Sequence, residues 1–377
     1  MTPPDVAPAS RIVPPTRGVG YRVEPVLHVT GARPNFPKAA PVLRALDRRG
    51  VAQRLVHTGQ HHDERLSEVF FRQLGLPEPD IDLGVGSGSH ARQTAAMMTG
   101  LEEVFARLSP GRVVVYGDVN STLAAALVAA KLGIPLAHVE AGLRSFDRTM
   151  PEEINRVVTD RLADLLLSTS ADAVGNLAAE GADPAAVHLV GNPMIDTLLA
   201  HRDRFDVSAA RSRHGLDGAY VVATLHRPSN VDSPADATAL AAALHAVADV
   251  AEVVLPLHPR GRDRLRSAGM FDHPRVRVTE PLGYVEFLGL VNGAAAVVTD
   301  SGGVQEETTV LGVPCLTVRT TTERPVTITH GTNRLVARGE LAGEVERCLR
   351  AGRPASWPTP PLWDGRAGER IAALIAG

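Results

Sequence analysis

Residues 113–156 read VVVYGDVNSTLAAALVAAKLGIPLAHVEAGLRSFDRTMPEEINR, and their pattern decides the fold class. An apolar run, Val113–Tyr116, ends in Gly117-Asp118. The Ala/Leu/Val segment that follows has Ser121-Thr122 at its start and Gly133 at its end, the marks of a helix. A second apolar run, Ile134–Val139, delivers Glu140 into a glycine-containing turn, and Pro151-Glu152-Glu153 opens another helix. Strand and helix alternating at this spacing predict a parallel sheet covered on both faces. Three carboxylates, Asp118, Glu140 and Glu152, then stand at strand ends or a helix start. Ligands and catalytic groups collect there in open α/β sheets.

The alternation extends in both directions. Upstream, Val26–Thr30 is a short strand that breaks at Gly31-Ala32-Arg33-Pro34, and a helix pattern runs over 37–49. A strand at 53–58, a Gly/Ser loop at 84–89 carrying His90, Arg92 and Gln93, and a helix over 91–108 follow. Downstream come strands at 165–169 and 187–190, and then the turn Gly191-Asn192-Pro193, which marks a boundary. Beyond it, strands at 220–224, 253–257, 275–278, 295–299 and 314–318 alternate with helices at 234–249, 260–268, 284–292 and 303–311. Two successive arrays without a long linker predict two Rossmann-like parallel-sheet domains, 21–192 and 193–360, facing a central cleft. Residues 1–20 are proline-rich and are expected to be a disordered leader; 361–377 is expected to be a tail helix, amphipathic from Trp363 to Ile375.

At 377 residues the chain suits two domains, and 44% hydrophobic with 21% charged residues is a globular composition. A net charge of −3 carries no polyanion signal, so nucleic acid is not an expected partner. The apolar runs fall short of the roughly 20 residues that span a bilayer. No secretory signal opens the chain, so a cytoplasmic protein with no membrane partner is expected. Cys315 and Cys348 lack a CxxC neighbour and read as buried thiols of a reducing compartment. His57, His61 and His62 cluster without matching carboxylates, so they read as solvated and no metal site is expected.

Further residues could carry chemistry. The strand-to-helix turn holding Gly31 and Arg33 suits an anion, through free N–H groups and the helix dipole, but also fits a plain turn with a surface arginine. Asp300-Ser301-Gly302-Gly303 follows a strand and opens a helix, so a phosphate could sit against bare N–H groups, and Glu307, four residues on, could accept from ribose hydroxyls. The same pattern fits a glycine-rich turn with a surface glutamate. His226-Arg227 and His258 stand at strand ends, either facing a leaving group or satisfied by backbone. Glu152 and Arg156 are four apart on one helix face, a spacing that a surface pair also uses.

These residues resemble the UDP-N-acetylglucosamine 2-epimerase family over nearly the whole chain after residue 25. The motifs are Gly31-Ala32-Arg33-Pro34 with Lys38, Gly117-Asp118, His138 to Arg144, Pro151 to Arg156, His226-Arg227, Asp300 to Glu307 and Thr322-Glu323-Arg324-Pro325. The resemblance implies a GT-B fold and inversion at C2 of the sugar, by anti elimination of UDP to 2-acetamidoglucal and syn re-addition. Carried over, Asp118, Glu140 and Glu152 are the acid/base carboxylates, and His226 steadies the leaving UDP. Arg33, Lys38, Ser301, Gly302, Gly303 and Glu307 hold UDP, and Arg156 contacts the site beside Glu152. Neither NAD nor a metal is implied.

The tail helix is expected to cross back to the first domain, and a homodimer is the family expectation. A second UDP-GlcNAc as activator is implied at Gln60, His61, Arg92, Gln93, Arg227 and His258. Asp63 and Ser229 depart there from the Gln and Glu that members often carry. The readings left open are a hydrolysing epimerase releasing ManNAc and UDP, an epimerase of a related UDP-2-acetamido sugar, a GT-B glycosyltransferase and a non-catalytic sensor.

Overall fold

Short, doubly buried apolar strands dictate the architecture, because a strand covered on both faces reads as a continuous run and not as an alternation. The structure, a computed structural model, describes residues 24–60, 71–225, 227, 230, 233–257 and 259–377. The leader at 1–20 lies outside them. The chain divides into two compact units: residues 24–142, 148–193 and 367–377 form the first, and 143–147 with 194–366 form the second.

In the first unit, β1 (Val26–Thr30), β2 (Gln53–His57), β3 (Ile81–Asp82), β4 (Arg112–Tyr116), β5 (Leu136–Ala141), β6 (Leu165–Ser168) and β7 (Val187–Leu189) make one parallel sheet. Its order is β3-β2-β1-β4-β5-β6-β7. The winding reverses between β1 and β4, and the carboxyl ends of strands at such a switch point are where doubly wound sheets bind ligands. Val113, Val114 and Val115 of β4 are fully buried. The helix Asn120–Leu132 ends at Gly133 in the left-handed conformation, as its sequence predicts.

The second unit repeats the plan. β8 (Tyr220–Thr224), β9 (Glu252–Pro256), β10 (Val276–Thr279), β11 (Ala296–Thr299), β12 (Cys315–Thr317) and β13 (Asn333–Leu335) run in the order β10-β9-β8-β11-β12-β13, all parallel. Here the switch falls between β8 and β11. Each unit has its own apolar core against its sheet.

Several elements differ from the sequence reading. That reading contains neither β3 nor β13, which are too short to show a pattern, nor the helices Pro193–His201, Val207–His214 and Leu341–Ala351. β5 continues to Ala141, so Glu140 lies inside the strand and not in the turn after it. The pairing register shifts between Val139 and Ala141, and Glu140 sits at φ 79°, a bulge that turns its side chain.

The last helix begins at Ala367 and not at Trp363, which packs with Ile195 and Val326 in the second unit. That helix belongs to the first unit, where Arg370 donates to the Val190 carbonyl at 3.2 Å. His57 is buried beside the rings of Phe36 and Phe71, not solvated, and burial lowers its pKa against the opposing pull of Asp82. Cys315 is buried and Cys348 half-buried. Among the described residues no helix is long and apolar enough to cross a membrane.

Candidate active site

At the switch point of the first sheet, Asn35 latches two strand ends together. Its Oδ1 accepts from the N–H groups of Gly31 (3.0 Å) and Ala32 (3.1 Å), and its Nδ2 donates to the Tyr116 carbonyl (2.7 Å). Gly117 follows at φ 64°, its N–H bonded to the Val139 carbonyl at 3.0 Å. A Cβ there would lie 2.8 Å from Lys38 Nζ and 3.2 Å from Glu140 Oε2, so both conformation and space demand glycine. Behind it, the buried Lys38 and Glu140 form an ion pair. Lys38, expected to hold UDP, therefore sits with the carboxylates.

Asp118 pairs with Arg156, which is 1% exposed and also bonds Glu153 Oε2 through Nε (3.0 Å) and Nη2 (2.6 Å). Asn155 donates to the Asp118 carbonyl at 2.8 Å. On its own helix the ion-pair partner of Arg156 is Glu153. Spacings of three and four both share a helix face, and burial decides between them, since a buried guanidinium needs buried acceptors. Glu153 is 3% exposed, whereas Glu152 is half-buried, with no side-chain hydrogen bond or ion pair among the described residues. Arg156→Ala is expected to cost about 3–5 kcal/mol by stranding buried carboxylate charge; a denaturation midpoint unchanged from the parent would refute that.

Two of the residues expected to regulate also meet. Gln93 Nε2 donates to the Gln60 carbonyl at 3.0 Å, and Gln60 Oε1 accepts from Ser121 N (3.1 Å) and Oγ (2.7 Å). Asn120 bonds Gln93 Oε1 (2.9 Å) and accepts from Asn155 (3.2 Å), so amides link this pair to the backbone of Asp118. Arg92 is exposed, and Arg33 is half-buried in its turn. His61, His226 and His258, with Asp63 and Ser229, lie outside the described residues.

At the switch point of the second sheet, the fully buried Asp300 ties two strand ends. Its Oδ2 accepts from Arg227 N (2.9 Å) and Asn230 Nδ2 (3.0 Å), and its carbonyl from Arg227 Nε (2.9 Å). Arg227, expected to regulate, is thus engaged in holding the segment after β8. Ser301 N–H donates to Thr299 Oγ1 (3.0 Å), and the helix Gly302–Leu311 begins at once, with its first N–H groups in the turn.

Arg324 backs this turn so closely that a Cβ on Gly302 would lie 2.3 Å from its Nη1. Arg324 pairs with Glu306 (2.9 Å) and Glu323 (2.5 Å). Burial alone would raise the pKa of Glu323, but Arg324, Arg319 and Arg227 hold it well below the usual carboxylate range. Glu307 behaves oppositely. Burial pushes its carboxyl up to about 8; Glu306 adds to the rise, and a hydrogen bond from Tyr284 opposes it.

Sequence reasoning missed Asn35, Glu153, Asp160 and Asp300 as structural partners, and gave His138 no role. The readable signal was Glu153, Arg156 and Asp160 at spacings of three and four, one polar stripe on a helix.

The sequence profile of the UDP-N-acetylglucosamine 2-epimerase family matches residues 44–376. The UDP-N-acetylglucosamine 2-epimerase of Methanocaldococcus jannaschii is 39% identical over 359 residues, 92% of this chain and 97% of that one. The UDP-2,3-diacetamido-2,3-dideoxy-D-glucuronate 2-epimerase of Pseudomonas aeruginosa is 42% identical over 360 residues, 93% and 99% of the two chains. A crystal structure of the M. jannaschii enzyme in complex with UDP-GlcNAc and UDP superposes with a TM-score of 0.87 at 38% identity, covering 93% of this chain and 99% of that one. With two switch-point sheets of the GT-B type and a match along most of its length, the chain belongs to the UDP-N-acetylglucosamine 2-epimerase family and is an epimerase.

Proposed function

We propose that this protein interconverts UDP-N-acetylglucosamine and UDP-N-acetylmannosamine without net hydrolysis. The observation that carries the reading is two carboxylates, Asp118 and Glu140, each held against its own cation at the end of the first sheet's switch. A weakly acidic C2 proton needs a positioned base, and expelling a diphosphate needs stabilised charge. In the forward direction the C2–H and C1–O bonds break, the proton goes to a carboxylate, and UDP leaves with the electron pair of the C1–O bond. The C1=C2 bond of 2-acetamidoglucal remains. Return of a proton to the other face of C2 and of the UDP oxygen to C1 completes inversion.

Asp118, Glu140 and Glu152 share the proton transfers, with Glu152 paired to no cation among the described residues. Ser301, Gly302, Gly303, Glu307 and Arg33 hold UDP, and His226 steadies it as it leaves. Lys38 and Arg156 act by fixing carboxylates. The link from Gln60 and Gln93 to Asp118 supports activation by a second UDP-GlcNAc, which requires that the reverse reaction depend on added UDP-GlcNAc; hyperbolic kinetics without that dependence would remove it. The two free thiols fit a reducing cytoplasm. A homodimer is the assembly this reading takes, to be checked by light scattering.

A second reading, epimerisation of a 2,3-diacetamido uronate carried on UDP, is favoured by the 42% identity to the P. aeruginosa relative. It uses the same C2 chemistry. NMR of the protein with UDP-GlcNAc in D2O tests both: UDP-ManNAc deuterated at C2 is the expected product. Free ManNAc would replace the reading with hydrolysis, and absence of exchange would exclude UDP-GlcNAc as substrate.

A further inference from the structure

The fully buried His138 of β5 faces acceptors on both sides. Its Nε2 is 2.8 Å from the Gly117 carbonyl, and its Nδ1 is 2.6 Å from Asp160 Oδ1. A carbonyl oxygen has no proton to give, so Nε2–H donates to it, and His138 and Asp160 share the proton between Nδ1 and Oδ1. The second oxygen of Asp160 accepts the Gly142 N–H at 3.1 Å. The pair therefore ties together the peptide just before Asp118 and the peptide two residues after Glu140.

Between those points lie the Gly117 turn and the bulge at which Glu140 holds φ 79°. A non-glycine residue in that region is strained and persists only where its surroundings over-determine it. Asp160 also lies four residues after Arg156, so one helix supplies both the cation that holds the Asp118 side chain and the anion that orients His138. A core histidine serving packing alone needs neither a second buried acceptor nor a carboxylate that also reaches across to Gly142.

We propose that His138 and Asp160 form a positioning pair that sets the carboxylates of Asp118 and Glu140 for proton transfer at C2. The assignment rests on the proposed reaction. Neither residue touches substrate in this scheme; they act through the two peptides they hold.

The variants separate positioning from folding. Asp160→Ala is expected to lower kcat by about 10²-fold, the scale of a misplacement near 1 Å, with KM and UDP affinity unchanged. Asp160→Asn can accept from Gly142 through its oxygen and donate through its amide to Nδ1 of neutral His138, leaving Nε2–H on Gly117. It is expected to restore most of kcat. Where loss of the carboxylate unfolds Asp160→Ala, His138→Phe/Asp160→Leu serves instead, since replacing both partners with apolar groups leaves no buried charge unpaired.

Its kcat should fall as in the alanine variant while it still unfolds in one cooperative transition, at a melting temperature lowered by the Gly117 carbonyl and Gly142 N–H that lose their partners. Parental kcat in Asp160→Ala or in the double variant would overturn the proposal, as would an asparagine variant as impaired as alanine. A parent protein that leaves C2 of UDP-GlcNAc unexchanged overturns UDP-GlcNAc as the substrate, and the variants are then compared on the UDP-linked 2,3-diacetamido uronate; no exchange there either overturns the reaction reading itself.

Discussion

Glu140→Gln is expected to lower turnover of UDP-GlcNAc by about 10²- to 10⁴-fold, the span of a general acid–base group, while UDP still binds. The reason lies in its pairing with Lys38. The ammonium and the Glu140 carboxylate are both buried and face one another beside Gly117. Glutamine keeps the shape and an accepting oxygen but cannot take a proton, so chemistry at C2 slows while the pocket persists. It also leaves the buried ammonium without a counter-charge, a loss of about 3–5 kcal/mol.

The two effects separate in Lys38→Met/Glu140→Gln, in which neither charge remains. That variant should regain stability in a denaturant titration and still fail to exchange deuterium into C2. Turnover returning with stability would show that Glu140 serves the fold and not the proton. Asp118→Asn makes the independent comparison, since its cation is Arg156 and not Lys38.

The contrast between these two pairs shows what a sequence can and cannot reveal. The doubly wound fold was legible because its strands are continuous apolar runs and its helices carry readable ends, as at Gly133. The carboxylates were legible because they stand at the ends of those runs. Their partners were not. The helix Pro151–Leu162 turns Glu153, Asn155, Arg156, Thr159 and Asp160 inward and leaves Ile154 49% exposed. An amphipathic reading assigns the apolar residues to the interior and places this helix the other way round. Pairing across sequence distance has no local signature either: Lys38 and Glu140 meet only because β1 and β4 are neighbours and β5 lies beside β4. The same holds for Asp300, whose hydrogen bonds to Arg227 and Asn230 depend on β8 lying against β11.

Glu307 gives the second large effect, with opposite signs for stability and binding. Its carboxyl is buried and pushed up to about 8, from an ordinary value of 4.5. Between those pH values the folded protein binds a proton that the unfolded chain has released, so stability falls as pH rises through the window, and the full cost is present above 8. Glutamine cannot ionise. Glu307→Gln is therefore expected to stabilise the unliganded protein by about 3–5 kcal/mol at pH 8.5, since each pH unit between the two values is worth about 1.36 kcal/mol. At pH 4.5 it should do little.

In the proposed nucleotide site the same change should weaken UDP, because a carboxylate can accept from both ribose hydroxyls and an amide oxygen with a neighbouring NH2 cannot do so equally. The loss expected is about 1.5–3 kcal/mol, the worth of hydrogen bonds to a charged group. Since the carboxylate form does the binding, the parent should release a proton on taking up UDP at pH 7, read by calorimetry in buffers of different ionisation enthalpy. Affinity should then rise with pH up to about 8, with no such rise in Glu307→Gln. Stabilisation without weakened binding would leave Glu307 a buried acid next to Tyr284 and remove it from the ribose. Weakened binding without proton release would show that Glu307 meets the ribose in its neutral form.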